Sequence, residues 1–203
     1  MNPEIVVVSG VPRSGTSLMM QVLHAGGIPA VTDHIRAPDP DNPRGYYEFE
    51  RVKKVKNDAA WLPEARGRVV KMVSQLLYDL PPSERYRIVF MERDLDEVLD
   101  SQEKMLRRLG QPVAPRDPMR RAFTLHLNRI RRWMGEQPNF TVLRIRFSDV
   151  VARPADEVAR VNEFLGGRLD VTAALGAIDP MLYRNRKAGV EPWEFYADVG
   201  SGI

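Results

Sequence analysis

Gly10-Val11-Pro12-Arg13-Ser14-Gly15-Thr16-Ser17 is the stretch of sequence that decides the fold of this chain. It follows a continuous apolar run over residues 5–9 and precedes a helically spaced set of apolar residues over 16–25. Such a run is typical of a strand buried on both faces of a parallel sheet. Glycines let the backbone wrap closely, so its amide N–H groups and the helix N-terminus can face an anion. The sequence therefore predicts a strand, an anion-binding loop and a helix in succession.

The spacing of this loop is that of a Walker A motif, with one substitution. Gly10 and Gly15 are separated by four residues, and the hydroxyl of Ser17 follows. Thr16 stands where the motif has lysine, and a cation, Arg13, lies inside the loop instead. P-loop nucleotide hydrolysis uses that lysine on the β/γ-phosphates and an acidic residue on magnesium. The loop thus keeps an anion cradle but moves its cation, which disfavours ATP–magnesium chemistry.

The rest of the chain alternates strand and helix signals. Further strands are predicted over residues 68–72, 86–91 and 141–147. Helices are predicted over residues 48–57, 95–109, 118–133 and 155–165, with a short helical piece near 75–78. A loop covers 32–47, and the end of the chain is predicted as a short helix and an extended tail over 190–203. This order predicts one domain over 1–203, a three-layer α/β/α fold with a central parallel sheet of the P-loop nucleotide-hydrolase type.

Composition narrows the possible functions. The 203 residues contain no cysteine, which excludes disulfides, thiolate metal sites and cysteine nucleophiles. We expect no metal site, no membrane span and no signal peptide, and hence a cytoplasmic protein. The net charge is +3. Arginines crowd residues 107–146, but without a nucleic-acid module we interpret them as solvated helix faces and expect no nucleic-acid partner.

The loop resembles the 5′-phosphosulfate loop of the sulfotransferase family, whose pattern is Pro-Lys/Arg-Ser-Gly-Thr-Ser/Thr. The resemblance implies transfer of a sulfuryl group from 3′-phosphoadenosine 5′-phosphosulfate, with no metal. It also implies that Arg13 neutralises the leaving phosphate while the loop holds the phosphosulfate. The donor-binding residues that it implies here are Pro12, Arg13, Ser14, Gly15, Thr16 and Ser17.

A second element of the family is an arginine followed, eight positions later, by a serine, and both bind the 3′-phosphate. Here Arg93 follows the strand over 86–91, and Ser101 stands eight residues beyond it. An arginine at a strand end and a serine two turns into the next helix can converge on one anion. The family's proline two residues after the arginine is replaced by Leu95.

Later segments resemble the family's C-terminal part. They are residues 147–150, 153–154 and 164–166. The basic segment 183–189 is similar to the loop that closes over the 3′-phosphate, which implies donor contacts for Arg184 and Arg186. A solvated basic tail is an equal interpretation of that segment.

Three residues are candidates for the chemistry besides Arg13. Lys71, at the end of the predicted strand 68–72, resembles the family's second lysine, which contacts the transferred group. The histidine that often follows two residues later is replaced by Val73. We therefore expect the general base to be Glu48, entering the predicted helix, with His34 beside Asp33 as the rival.

Two other functions remain open from the sequence, as does the acceptor. One is a small-molecule kinase using ATP and magnesium, and the other is a non-catalytic scaffold that binds a nucleotide. The acceptor is expected to be a small molecule or a glycan bearing a hydroxyl or amine, and the oligomeric state is undetermined. Aromatic residues that can line an acceptor site or pack a core are Tyr46, Tyr47, Trp61, Trp193, Phe195 and Tyr196.

Overall fold

The structure, a computed structural model, describes residues 3–33, 35, 37, 39, 42 and 45–179. Its strands are β1 (Ile5–Gly10), β2 (Ala30–Val31), β3 (Val69–Val73), β4 (Tyr86–Glu92) and β5 (Phe140–Arg146). Its α-helices are α1 (Thr16–Ala25), α2 (Leu95–Arg108), α3 (Arg116–Gly135), α4 (Phe147–Ala152), α5 (Pro154–Phe164) and α6 (Val171–Gly176). Short 3-10 helices cover Glu50–Lys54, Leu62–Ala65 and Ser74–Asp79.

The strands form one parallel sheet in the order β2-β3-β1-β4-β5. Strand β1 lies at its centre, and each of its six residues is buried. The chain leaves β1 for β2 and β3 on one side and then crosses to β4 and β5 on the other. Ligands of open α/β sheets bind where the strand order reverses in this way, at the carboxyl ends of the strands. The fold thus places the site beyond the ends of β1 and β4.

Each face of the sheet carries its own apolar core, because successive side chains of a strand point to opposite faces. Ile5 and Val7 contact the core beneath α2 and α3. Val6 and Val8 contact the core beneath α1, α4, α5 and α6. These three layers confirm the predicted α/β/α fold with a central parallel sheet. Among the described residues, no helix is long and apolar enough to span a membrane.

Several predicted elements need correction. The helix predicted over 48–57 is a 3-10 helix, Glu50–Lys54. Val52 in this helix and Val55, its C-cap, are both buried and lie three residues apart, which suits the threefold repeat of a 3-10 helix. Glu48 therefore lies before this helix and not in its first turn. Phe147, predicted as the end of a strand, begins α4 instead. Strand β2 was not predicted, because two residues carry no alternation pattern.

Candidate active site

The loop over residues 10–17 wraps tightly over the end of β1. A Cβ atom on Gly10 would lie 2.4 Å from Ser14 Oγ and 2.6 Å from the Met91 carbonyl oxygen, so only glycine fits. Inside the loop, the Ser14 amide donates to the Val11 carbonyl oxygen at 3.2 Å. The Ser14 hydroxyl is buried and has no hydrogen-bond partner among the described residues. The loop is therefore tightly closed, and it buries the Ser14 hydroxyl.

Gly15 connects this loop to α1 in a conformation that other residues rarely adopt. It is the N-cap of α1 with φ 97°. A Cβ there would lie 2.3 Å from Phe147 Cδ2. The N–H groups of a helix's first turn have no intrahelical acceptor, and here that turn begins at Thr16. These amides, with the positive end of the helix dipole, are suited to an anion.

Arg93 follows β4 and supports the loop from the side. Its Nη1 donates to the Arg13 carbonyl oxygen at 3.2 Å, and its Nε donates to Glu97 at 2.9 Å. Its guanidinium also lies 4.5 Å from the centre of the Phe147 ring. The side chains of Arg93 and Glu97 are each only 8% exposed. Arg93 is thus held rigidly by an ion pair, an aromatic face and the loop backbone.

Arg13 and Ser101 are in direct contact. Arg13 Nε donates to Ser101 Oγ at 2.9 Å, and Arg13 Nη1 lies 3.9 Å from Met105 Sδ. Ser101 and Met105 are one turn apart on α2. The structure therefore brings Arg13 into contact with both Arg93 and Ser101. The roles of Arg93 and Ser101 in binding an anion stay predictions.

A second cluster surrounds Lys71. This residue is the third of five in β3, and not at the strand end as predicted. Its Nζ lies 3.7 Å from Glu48 Oε1 and 3.4 Å from Ser17 Oγ, and it donates to the Tyr46 carbonyl oxygen. The Lys71 side chain is 12% exposed and that of Glu48 is 26% exposed. A cation, a carboxylate and a hydroxyl thus meet at the start of α1.

These two clusters line one cavity of about 540 Å³. The volume is within the range of small-molecule and nucleotide pockets. Its basic lining residues are Arg13, Lys71, Arg93 and Lys104, and its acidic ones are Glu48 and Asp179. The wall therefore carries more positive than negative side chains. Among the described residues, no cluster of three or more His, Cys, Asp or Glu side chains is suited to a metal.

The remaining predicted site residues divide into two groups. Pro12, Gly15 and Thr16 line the cavity with the residues above, whereas Ser14 of the same loop is buried and does not line the cavity. His34, Arg184 and Arg186 lie outside the described residues, so their assignments stay predictions.

The aromatic residues that were candidates for an acceptor site have different surroundings in the structure. Tyr46 lines the cavity and donates its hydroxyl to Asp39 at 2.7 Å. Trp61 is buried in the core, and Tyr47 packs edge-on against His24. Burial raises the pKa of Tyr47. Trp193, Phe195 and Tyr196 lie outside the described residues.

Sequence reasoning missed several residues of the cavity wall. Gln102 and Met105 follow Ser101 on α2, and Phe147 stacks against Arg93. The helical spacing of four residues from Ser101 gave a usable signal for Met105. Nothing in the local sequence indicated that Phe147 would reach both Gly15 and Arg93.

Comparison with known proteins identifies the family of this chain. The sulfotransferase domain family matches residues 3–187. This chain therefore belongs to the sulfotransferase family. No curated protein matches the chain.

Solved structures with similar folds include sulfotransferases and a kinase. A sulfotransferase from Alicyclobacillus acidocaldarius is 18% identical, with 82% of each chain covered and a TM-score of 0.49. The sulfotransferase domain from the curacin biosynthetic pathway is 16% identical, covering 81% of this chain and 74% of that one, with a TM-score of 0.47. A sugar kinase from Janibacter sp. HTCC2649 is 12% identical, covering 85% of this chain and 98% of that one, with a TM-score of 0.45.

Proposed function

We propose that this sulfotransferase takes its sulfuryl group from 3′-phosphoadenosine 5′-phosphosulfate and transfers it, without a metal, to a hydroxyl or amine of a small molecule or glycan. The observation that carries the proposal is the single cavity that joins the loop over residues 10–17 to the Arg93–Ser101 pair. A donor with anionic groups at its 5′ and 3′ positions needs two anion sites at a fixed separation. One cavity offers both.

The residues present fit such a donor. The first-turn amides of α1 and the Arg13 guanidinium would hold the 5′-phosphosulfate. Arg93 and Ser101 would hold the 3′-phosphate. Lys71, between Ser17 and Glu48, would lie at the sulfuryl group. Arg184 and Arg186 would close over the 3′-phosphate, as their resemblance to the family's basic loop implies.

Sulfuryl transfer in this site is a displacement at sulfur. The acceptor oxygen or nitrogen forms a bond to sulfur, and the bond from sulfur to the bridging oxygen of the 5′-phosphate breaks. Charge grows on that oxygen, where Arg13 and Lys71 stabilise it. The acceptor proton passes to a general base. The products are the sulfated acceptor and adenosine 3′,5′-bisphosphate.

Glu48 is our candidate for that base. Its carboxylate lines the cavity and lies 3.7 Å from the Nζ of Lys71, the residue that we propose at the sulfuryl group. Val73 fills the position where the family often has a histidine, which leaves the role to another side chain. His34 is the alternative base.

Calorimetric titration tests the donor. We expect adenosine 3′,5′-bisphosphate to bind in the presence of EDTA and to bind more tightly than ATP with magnesium. The double variant Arg93→Gln/Glu97→Gln removes a cation and its counter-charge together, so no charge is left buried and unpaired. It should lose about tenfold or more in affinity for the bisphosphate, the usual worth of a hydrogen bond to a charged group.

Turnover is then measured as release of the bisphosphate from the phosphosulfate with alcohols, phenols and sugars as acceptors. Tighter binding of ATP–magnesium would overturn the proposal in favour of a kinase. Binding of the bisphosphate without turnover by any acceptor would indicate a nucleotide-binding scaffold.

A further inference from the structure

We infer that Gln21 binds the acceptor and selects a molecule that carries a second hydroxyl or amine next to the one that takes the sulfuryl group. This inference rests on the proposed function and names the class of its acceptor. Gln21 lies on α1, one turn after Ser17, and it lines the cavity. Only 7% of the residue is exposed. Its Oε1 atom is buried and has no hydrogen-bond partner among the described residues.

An unmet amide oxygen in a cavity wall indicates a ligand-binding group. Buried polar side chains nearly always have a hydrogen-bond partner, and leaving one without a partner costs free energy. The Oε1 atom of Gln21 needs an N–H or O–H group to complete it. The ligand of this cavity is the source of such a group.

The anionic ends of the donor cannot satisfy this oxygen. The phosphosulfate and the ionised 3′-phosphate accept hydrogen bonds and offer no proton. The ligand groups that remain are the base amine and the ribose hydroxyl of the donor, and the hydroxyls or amines of the acceptor. The surroundings of Gln21 decide between them.

The face of α1 that carries Gln21 lies against the proposed acceptor end of the cavity. Ser17, Gln21 and His24 stand at positions i, i+4 and i+7, so they share one face of the helix. At one end of that face, Ser17 Oγ lies 3.4 Å from Lys71 Nζ. At the other end, the His24 ring packs against the Tyr47 ring at 5.7 Å. Gln21 lies between these two contacts.

Glu48, the candidate base, connects the same two contacts from the other side. Its carboxylate lies 3.7 Å from Lys71 Nζ, and it directly follows Tyr47 in the chain. Its carbonyl oxygen accepts from the Thr32 hydroxyl at 3.0 Å, which fixes its backbone. Gln21 and Glu48 both line the cavity. An acceptor that gives its proton to Glu48 therefore brings its neighbouring atoms toward Gln21.

The amide of Gln21 is suited to two adjacent polar groups. Its oxygen accepts a hydrogen bond, and its NH₂ group donates one. Two hydroxyls on neighbouring carbons, or a hydroxyl beside an amine, offer the matching donor and acceptor from one edge of the molecule. A site built to hydrogen-bond a hydroxyl rejects an analogue that lacks it, because the polar group of the site is then left unmet. We therefore expect vicinal diols and amino alcohols to be preferred over acceptors with one hydroxyl.

The experiment compares wild type with Gln21→Met, which keeps the length of the side chain and removes the amide. The probe acceptors are trans-cyclohexane-1,2-diol, trans-cyclohexane-1,4-diol and cyclohexanol, and turnover is measured as release of the bisphosphate. Wild type should use the 1,2-diol with a kcat/KM about tenfold above that for the other two, the worth of one hydrogen bond. Gln21→Met should lose this preference and keep its affinity for adenosine 3′,5′-bisphosphate. Gln111→Met, which changes an exposed glutamine after α2, is the matched control and should keep both.

Stability gives a second readout that needs no acceptor. Gln21→Met replaces an unmet buried amide with an apolar side chain, so it should raise the melting temperature of the protein without ligand by about 2–4 °C. A lower melting temperature would show that the amide is satisfied within the fold and would overturn its role in binding.

The failures of the two proposals are distinguishable. A tenfold loss of bisphosphate affinity in Gln21→Met would overturn the acceptor role in favour of a contact to the base or ribose of the donor. Equal use of the 1,2-diol and cyclohexanol by wild type would overturn the selection of adjacent polar groups. Sulfotransferase activity would stand in both cases. Binding of the bisphosphate without turnover of any acceptor would instead overturn the proposed function.

Discussion

Arg13 has a strained backbone conformation that positions its side chain. Arg13 has φ 69°, in the left-handed region that is unfavourable for a residue with a Cβ. Strain of this kind persists only where the surroundings over-determine it. Here the Arg13 carbonyl accepts from Arg93 and the Arg13 side chain donates to Ser101. These two contacts, with residues 80 and 88 positions away along the chain, thus fix a residue that lines the cavity.

Gly15→Ala should be one of the most damaging small substitutions in the chain. Its φ is 97°, and the new Cβ would press on Phe147 and, through that ring, on Arg93. Gly27→Ala is the matched control, because Gly27 has φ 94° and nothing within 4 Å of a Cβ. The left-handed penalty of about 1–2 kcal/mol is then common to both. Thermal unfolding should show a larger drop for Gly15→Ala, with loss of bisphosphate binding. Equal drops would show that the Phe147 contact relaxes freely.

Glu48→Gln tests the base separately from the donor. We expect the variant to keep its affinity for the bisphosphate, while turnover falls by about 10²–10⁴, the usual worth of general base catalysis. Glu50→Gln is the control, because Glu50 is exposed and pairs with Lys53 at 2.5 Å outside the cavity. Affinity is measured by calorimetry and turnover by bisphosphate release. Undiminished turnover in Glu48→Gln would leave His34 as the candidate.

At the scale of elements, a helix or strand was predicted more accurately from the sequence when its apolar pattern was longer. For the elements with long apolar patterns, the predicted bounds agree with those of the structure to within about two residues. These elements are β1, β3, β4, β5, α1, α2, α3 and α5. Helix α4 follows β5 directly at Phe147, with no glycine or proline between them, so nothing local marked the change. The same holds for the candidate site. The loop could be predicted from a local motif, whereas the Arg13–Ser101 contact could not, because it spans 88 positions and depends on how α2 packs.

The start of α2 matters for the site because this helix carries Ser101. Asp94 is its N-cap, and the Asp94 side chain accepts from the Asp96 amide at 2.9 Å. Asp94→Ala should lower the free energy of unfolding by about 1 kcal/mol. For a chain of this length that is about 2–4 °C in melting temperature. Asp94→Asn, which retains the cap, should restore most of it. No difference between the two variants would contradict the capping role.

His126 links α3 to the 3-10 helix Ser74–Asp79 and gives stability a pH dependence. Its Nε2 lies 2.7 Å from the buried Ser74 Oγ, and burial lowers the pKa of the imidazole from 6.5. The unfolded chain therefore binds a proton more readily than the folded one. Stability from this residue is present above pH 6.5 and decreases as the pH falls through that value. Melting temperatures between pH 8 and pH 5 should show a shallower decline in His126→Gln than in wild type.

A histidine elsewhere provides the comparison for that experiment. His24 lies on the exposed side of α1, and His24→Gln serves as the control variant. A parallel decline in all three proteins would show that His126 does not govern the acid sensitivity.

At the scale of the whole molecule, strand β1 connects the two apolar cores and the candidate active site. It joins both apolar cores through its alternating side chains and ends in the loop that faces the cavity. We therefore propose that the chain unfolds as one domain. If so, a substitution that destabilises the core on one face of the sheet must lower the unfolding midpoint of the other face equally.

Val6→Ala and Val7→Ala test this proposal, because the two residues are adjacent, fully buried and on opposite faces. Each should lower the free energy of unfolding by about 2 kcal/mol, from lost burial and the cavity left behind. Trp61 and Trp133 both belong to the core that Val7 contacts. Tryptophan fluorescence and far-ultraviolet circular dichroism should nevertheless give one midpoint for each variant. A fluorescence midpoint that shifts in Val7→Ala but stays fixed in Val6→Ala would show that the two faces unfold separately.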